Sequence, residues 1–299
     1  MGSRAWRRTH PGRVAVRWSV AWTFHRPRAT QGVVTVGITA LAMGAMMLGP
    51  VREAWTQMVA VVPEWVLILV VPIVLHHGLY WGVSGFFHRV DTTNRPTWVA
   101  RHRIQDGKAK RPPLRRVLRN LAWNQLVFAP LMMTLIWGGL RLRGWAPSAA
   151  MPEPVEVAWQ IVVLGLFSEA YFYFTHRLLH WKPLMKRFHK VHHEFRTSAA
   201  MASEYAHPVE FTVGNFGTLG LGVVLLAPSL PVIYLFTVVA ILTILSHHCG
   251  YALPGMPAPA PHDWHHHRVV ENFGTVGILD RLLDTDREYR TMKDGERRP

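Results

Sequence analysis

Three groups of histidines in this chain have the spacing of metal ligands. They are His176 with His180, His189 with His192 and His193, and His262 with His265 and His266. Residues three or four apart lie on one face of a helix, so each group would present its imidazoles together. Neutral imidazole binds iron, zinc, copper and nickel. These ligands exceed what one tetrahedral ion requires, and the pattern therefore predicts a site for two metal ions.

Polar residues near these groups are candidates to support the ligands. Glu169 and Tyr173 share one stripe of an apolar helix with His176 and His180. Metal-ligating histidines usually donate their second ring N–H to a carboxylate or carbonyl, so Glu169 is predicted to orient a ligand or to balance the metal charge. The residues assigned a supporting role are Glu169, Tyr173, His207 and Asp263, with a direct ligand role left open for His207 and for His247.

The all-nitrogen ligand set favours redox chemistry. It leaves the metal charge uncompensated, unlike carboxylate-rich diiron sites, and the nearby acids that could balance it are Glu194, Glu204, Glu210 and Asp263. Zinc hydrolases typically use three protein ligands and an open position, far fewer than this chain offers. The excess predicts a redox iron pair that activates O₂. A Gly-rich nucleotide fingerprint and a flavin or haem site are absent from the sequence, so electrons must come from a separate donor.

The apolar runs that must position these residues have the length of membrane spans. They cover about 33–51, 63–87, 120–140, 157–175 and 211–246, and the last is interrupted at Pro228 and Pro231. Each is near the roughly 20 residues that cross a bilayer as a helix, and the last reads as a helical hairpin. The sequence therefore predicts an all-α, multi-pass membrane bundle of about six embedded helices with a histidine-rich cap.

The distribution of charge predicts the orientation of that bundle. The formal net charge is +15, and arginines and lysines concentrate in residues 1–32 and 88–119. This alternation fits the positive-inside rule rather than a nucleic-acid surface, and it puts all three histidine groups on the cytoplasmic side of a bacterial inner membrane or the endoplasmic reticulum. The single cysteine, Cys249, excludes an internal disulfide.

Four segments follow from these patterns. Residues 1–32 form a basic cytoplasmic arm, 33–118 the first membrane helices and a basic loop, 119–290 the catalytic domain, and 291–299 a tail.

From Arg101 to Arg287 the chain resembles the fatty acid hydroxylase/sterol desaturase superfamily, and within it most resembles the C-4 sterol methyl oxidases. The stretches that carry the resemblance are 101–105, 176–180, 189–195, 204–210, 248–251 and 262–266. The 204–210 stretch favours the sterol oxidases over other branches. The chain departs from the family in having Glu169-Ala170 where an acidic pair is usual, and in a short, proline-rich segment over 250–261.

The resemblance implies a diiron enzyme with nine ligands. Carried over position by position, they are His176, His180, His189, His192, His193, His248, His262, His265 and His266. It also implies two non-haem iron ions, O₂ as co-substrate, and a donor of the cytochrome b5 or ferredoxin type with its reductase.

The function expected is hydroxylation of a lipid taken from the bilayer, a sterol or related terpenoid, with a C-4 methyl group as one target. The alternatives are a hydroxylase or desaturase of a fatty acyl chain or carotenoid, a membrane zinc-dependent hydrolase, and a non-catalytic lipid-binding protein.

Overall fold

The computed structural model describes residues 32–105 and 111–296, with the backbone alone over 293–296. The predicted basic arm thus lies outside the described residues except for Gly32. The predicted tail starts inside a helix that continues to Glu296, while 297–299 lie outside the described part.

In the described ranges the regular structure is helical. The one β-type contact there is an isolated bridge between Arg103 and Tyr251. The helices are α1 (Val33–Met46), α2 (Gly49–Val61), α3 (Val66–Thr93), α4 (Leu114–Leu142), α5 (Pro154–Leu179), α6 (Pro208–Leu226), α7 (Leu230–His248), α8 (Ala260–Arg268), α9 (Ile278–Leu282) and α10 (Arg287–Glu296). Five of them, α3 to α7, are long and apolar enough to cross a membrane. The all-α, multi-pass membrane prediction is confirmed.

The first apolar run differs in shape from its prediction. It is a pair of helices, α1 and α2, bent by 81° at a short break, and the pair passes the span test only when taken together. The expected loop over 52–62 is therefore mostly helix. Val34 N–H donates to the carbonyl of Gly255 near the histidines, whereas Met46 packs with Trp145 and Leu230 at the other end. Helix α1 thus runs along the bundle, and α2 turns across its far end.

The predicted hairpin consists of α6 and α7. Helix α6 ends at Leu226 because Ala227 takes a left-handed conformation with φ of 50°, and Pro231 in the first turn of α7 suits the start of a helix. The Nε1–H of Trp145 donates to the carbonyl of Pro228 at 2.8 Å and ties the turn to the end of α4. The hairpin returns the chain to the end of the bundle where α5 stops.

Glycines on α6 allow the membrane helices to approach closely. A Cβ at Gly217 would collide with Tyr171 of α5, one at Gly220 with Ile136 of α4, and one at Gly222 would lie 2.8 Å from Phe167 of α5. Small residues at such contacts let backbones pack in a bilayer, where burial in lipid provides no driving force. Helix α6 is π-helical over Phe211–Leu221.

The segment between α5 and α6 forms a cap of short turns. It includes a π-helical turn over Met185–His189 and 3₁₀ turns over His192–Glu194 and Ala200–Ser203. The second histidine group therefore does not share one α-helical face. Its members leave the chain in different directions, and this decides where they lie in the site.

Candidate metal centre

The nine predicted histidines lie in two compact groups. Group one contains His176, His180, His189, His193 and His265, and group two contains His192, His248, His262 and His266. Within each group, one ligand atom per residue lies within 4.8 Å of every other. Each group draws on separate parts of the chain: group one on α5, the cap and α8, and group two on the cap, α7 and α8.

Adjacent histidines serve different groups. His192 enters group two and His193 enters group one, and on α8 His265 enters group one between two members of group two. The sequence predicted that each cluster would form one face. The structure shows instead that the cap and α8 each contribute histidines to both groups, so the two groups lie next to each other.

Nε2 atoms face each other inside both groups. In group one, Nε2 of His189 lies 2.9 Å from that of His180 and 3.0 Å from that of His193. In group two, Nε2 of His262 lies 2.8 Å from that of His248 and 3.2 Å from that of His266.

The hydrogen bonds of the other ring nitrogen, Nδ1, determine the tautomer of a histidine ring. Nδ1 lies at hydrogen-bond distance from an acceptor oxygen in six of the nine rings: His176 to Phe273 O, His189 to Glu210 Oε1, His192 to Tyr205 O, His248 to Ile244 O, His265 to Glu271 O and His266 to Phe195 O. A carbonyl or carboxylate oxygen only accepts, so Nδ1 carries the proton and Nε2 keeps a lone pair.

Two further contacts join rings that both carry the proton on Nδ1: Nε2 of His176 lies 3.1 Å from that of His189, and Nε2 of His192 lies 3.4 Å from that of His248. These two contacts therefore cannot be ordinary hydrogen bonds. Several buried acceptors point at one another with no proton between them, and a buried unsatisfied polar atom costs about 1–3 kcal/mol. A cation at the centre of each group would satisfy all of them. Nitrogens about 2.1 Å from one ion would lie about 3.0 Å apart at right angles and about 3.4 Å apart in a tetrahedron. Six of the eight short Nε2–Nε2 separations within the groups fall in that range. The two groups fit two metal ions.

Burial also keeps the imidazoles in the form that binds a metal. Loss of hydration lowers the pKa of His180 to about 2, that of His189 to about 3 and that of His192 to about 4. These rings are neutral at pH 7, and neutral imidazole is the ligating form.

Glu169 acts on the loop that follows α8. Its carboxylate accepts hydrogen bonds from the backbone N–H groups of Thr275 and Val276, each at 2.9 Å, and of Ile278 at 3.1 Å. The prediction was that this carboxylate orients a ligand imidazole or balances the metal charge. Within the described residues it instead holds the segment that begins beside Phe273, whose carbonyl accepts the Nδ1–H of His176.

Asp280 holds the same loop from the other side and was not singled out from the sequence. Its carboxylate accepts from the N–H of Phe273 at 2.8 Å and of Gly274 at 2.7 Å. A Cβ at Gly274 would lie 2.7 Å from Glu169 Oε1 and 2.9 Å from Asp280 Oδ2, so only glycine fits at this position between the two carboxylates. An acid three residues after the left-handed Gly277 was the available signal.

The other predicted supporting residues lie near the groups in different ways. Tyr173 places its hydroxyl 3.1 Å from that of Thr285, and Asp263 accepts from Gln105 Nε2 at 2.8 Å. His207 caps α6 by accepting the N–H of Val209, and it lies outside both groups, as does His247. The carboxylate that contacts a group directly is Glu210, beside His189.

Arg103 and Arg111 anchor the cap from the side of α3. Arg103 and Arg111 both pair with Asp91, at 3.0 and 2.5 Å, and Tyr251 donates its hydroxyl to the same carboxylate at 2.6 Å. Arg111 also donates to the carbonyls of Thr197 and Ser198. This network fixes the cap on the membrane helices next to the histidines.

A second buried polar cluster lies inside the bundle. Glu204 contacts His76 Nε2 at 2.5 Å and accepts from Gln125 Nε2 at 2.7 Å. The carbonyl of the next residue, Tyr205, accepts the Nδ1–H of His192. The cluster thus joins α3 and α4 to the cap beside group two.

A cavity of about 1170 Å³ opens beside group two. Its wall includes His262, the one histidine of the nine among its lining residues. Residues of α1, α7, the 257–261 segment and the segment from 272 to α10 complete the wall.

The fatty acid hydroxylase family model matches residues 161–285, the part of the chain that carries all nine histidines. The human fatty acid hydroxylase domain-containing protein 2 is 33% identical over 78% of this chain and 71% of its own length. A rice (Oryza sativa) very-long-chain aldehyde decarbonylase is 30% identical over 83% of this chain and 96% of its own length. The Arabidopsis thaliana methylsterol monooxygenase 2-2 is 29% identical over 81% and 94%. No solved structure matches the chain at a significant level.

Proposed function

Since this chain belongs to the fatty acid hydroxylase family, we propose that it is a membrane monooxygenase that hydroxylates a lipid with two non-haem iron ions, O₂ and electrons from a separate donor. That it is a lipid-modifying oxidoreductase of the membrane follows from its relatives and its five candidate spans. The diiron assignment, the substrate and the orientation are the proposal.

The single observation that supports the proposal is the convergence of nine histidine rings in two adjoining groups, six of which have Nδ1 bonded to an acceptor oxygen and Nε2 free to bind a metal. In group one the ligands would be His176, His180, His189, His193 and His265, and in group two His192, His248, His262 and His266. A zinc hydrolase would need one ion with about three protein ligands. Two nitrogen-rich sites that share α8 and the cap suit a redox pair.

When bound, the iron pair would supply O₂ activation and attack on an unactivated C–H bond. The balance is one lipid C–H bond converted to C–OH, with the second oxygen atom leaving as water, at the expense of two electrons and two protons. The protein's part is to orient the ligands. The carbonyls of Phe273 and Glu271 hold His176 and His265, and the Glu210 carboxylate holds His189 and balances part of the metal charge.

The substrate we propose is a sterol or a related terpenoid. It would enter from the bilayer, and the cavity beside His262 is large enough for such a molecule. The similarity to a methylsterol monooxygenase supports this scaffold, and a C-4 methyl group is the position it suggests. The histidine end would face the cytoplasm, where a cytochrome b5- or ferredoxin-type donor can dock.

The test is iron content together with oxygen-dependent turnover. Purified chain should hold about two iron ions, and cells that express it should accumulate a hydroxylated lipid whose new oxygen comes from ¹⁸O₂. His192→Ala removes one ligand from group two, and His265→Ala removes one from group one. Each variant should lose iron and turnover while its membrane insertion stays normal. His88→Ala, which lies outside both groups, is the control.

Full turnover in both ligand variants would contradict the diiron proposal. Product formation without O₂ uptake, supported by zinc, would favour the hydrolase. A fatty acyl or carotenoid product would keep the enzyme class and correct the substrate.

A further inference from the structure

His247 and Asn272 are buried polar side chains that line the cavity without a partner in the described structure. His247 is 5% exposed and Asn272 is 4% exposed, and both line the cavity together with His262. The side-chain Nδ2 of Asn272 has no hydrogen-bond partner among the described residues. The ring of His247 also forms no hydrogen bond with any of them.

Neither residue serves the metal groups. His247 directly precedes the group-two ligand His248 in the last turn of α7, and its ring centroid lies 6.4 Å from that of His262, but it is not a member of either group. Asn272 precedes Phe273 and takes a left-handed backbone conformation with φ of 58°, with its own N–H bonded to the carbonyl of Thr285. Both side chains are therefore available to a molecule in the cavity.

The cost of leaving the buried Nδ2 of Asn272 unpaired, together with the ring of His247 on the same cavity wall, indicates which groups that molecule carries. Buried polar atoms are nearly always hydrogen-bonded, and an orphaned one is destabilising. An Asn amide N–H requires an acceptor, and a neutral imidazole offers one donor and one acceptor. A hydroxyl oxygen can accept from Asn272 and donate to His247, and a carbonyl oxygen can accept from both. A carboxylate is less favoured at this point, because neither side chain carries a fixed charge and two of the three arginines in the cavity wall, Arg281 and Arg290, already pair with Asp286 and Asp284.

We propose that His247 and Asn272 form the binding site for a hydroxyl or carbonyl oxygen of the substrate, so that the enzyme selects neutral oxygenated lipids over hydrocarbons. This rests on the proposed function and narrows its substrate class. The oxygen lies in the cavity that His262 borders, and the lipid is thereby anchored next to group two. Apolar residues such as Val36 and Val276 of the same wall contact its hydrocarbon part.

Binding without turnover tests the inference. Full-length protein in nanodiscs under argon is assayed by displacement of tritiated cholesterol and of tritiated hexadecanol. The competitors are cholesterol against cholest-5-ene, which lacks the 3-hydroxyl, and hexadecanol against hexadecane. A site built to hydrogen-bond an oxygen rejects the analogue that lacks it, so in at least one pair the alcohol should bind about 10–100-fold more tightly.

The variants remove each hydrogen-bonding group separately. His247→Phe keeps a ring, and Asn272→Gly tolerates the positive φ, and each should reduce the preference for the alcohol to less than about 3-fold. His247→Gln keeps a donor and an acceptor and should restore part of it. The matched controls are His77→Phe on α3 and Asn215→Gly on α6, whose side chains bond to Ile73 O and Ser203 O outside the cavity. They should keep the full preference.

Equal binding of both members of both pairs, no binding of any of the four lipids, or a preference unchanged in both cavity variants would overturn the inference. Iron content and O₂ uptake are measured on the same preparations. Iron and O₂ uptake without lipid preference would reject the oxygen site and leave the proposed function standing. A preference that disappears in the variants, in protein without iron or O₂ uptake, would reject the proposed function and keep the oxygen site.

Discussion

The carboxylates of Glu169 and Asp280 both accept hydrogen bonds from the loop that follows α8, and a carbonyl of that loop orients His176. Glu169→Gln should therefore fold but lose iron and turnover by about 10–100-fold, since Gln offers one acceptor oxygen and turns its NH₂ group toward backbone N–H donors. Glu169→Leu should be worse, because every donor on the loop loses its acceptor. Iron per chain and turnover are the first measurements.

Amide hydrogen exchange distinguishes this positioning role from a general loss of stability. Residues 274–279 should exchange faster in Glu169→Gln while α3 and α7 remain protected. Glu156→Gln is the matched control, because it lies on the same helix and its carboxylate bonds to Gln160. Unchanged exchange in the loop together with full iron would show that Glu169 serves helix packing instead.

At the level of residues, the histidines were predictable and their partition was not. Spacing and resemblance identify all nine positions, since side-chain type is written in the sequence. The division of His192 from His193 depends on the π and 3₁₀ turns of the cap, which no period in the sequence indicates. The carbonyls of Phe273 and Glu271 were equally hidden, because every residue has one and only the fold selects which faces a ligand.

At the level of helices, Gly220 marks the closest approach of α6 to α4. Gly220→Val should lower the free energy of unfolding by about 1–3 kcal/mol, since its side chain would collide with Ile136 in a packed interface. The thermal midpoint in detergent is the measurement. Gly138→Val on α4 meets no atom within 4 Å and should change the midpoint little. Equal midpoints for the two variants would contradict the close packing of α6.

The short segment between His180 and His189 is a candidate docking element for the donor. Lys182 and Lys186 are exposed in this segment and Lys190 is exposed directly after it, and the histidines that bound the segment, His180 and His189, both belong to group one. If the donor is acidic, replacing all three by Glu should lower donor-supported turnover about 10-fold or more at low salt, with a smaller effect at high salt. Reduction by dithionite should be unchanged.

Arg143→Glu, an exposed change beyond the far end of α4, is the control for added negative charge. Normal donor-supported turnover in the triple variant would show that the donor does not dock at this segment. A triple variant that also resists dithionite would indicate damage to the metal groups.

The spans themselves were read from the sequence with few errors, because a bilayer imposes one length on every crossing helix. The bend between α1 and α2 was missed, since Leu48 and Pro50 interrupt a run that stays apolar throughout. The packing glycines of α6 were visible as residues. Their partners on α4 and α5 became visible only once the hairpin was folded against them.

For the whole molecule, the alternation of basic and neutral loops predicts a single orientation. Cysteines introduced at position 108 and after Glu296 should react with an impermeant maleimide only from the cytoplasmic side, and one at Pro147 only from the opposite side. The native Cys249 is 2% exposed and need not be removed. If the sites at 108 and 296 were labelled from different sides, the histidine groups could not assemble as described.

The partition of the ligands also sets an order of events during synthesis of the chain. Helix α8 follows the last candidate span, α7, and a nascent chain that stops before residue 262 would hold only two of the four nitrogens of group two and four of the five of group one. Translation through the last span thus precedes the completion of either site. Under the proposed diiron function, the metal ions would be acquired by a polypeptide whose membrane helices have already been made, and the supply of iron would act on the maturation of the enzyme after its insertion.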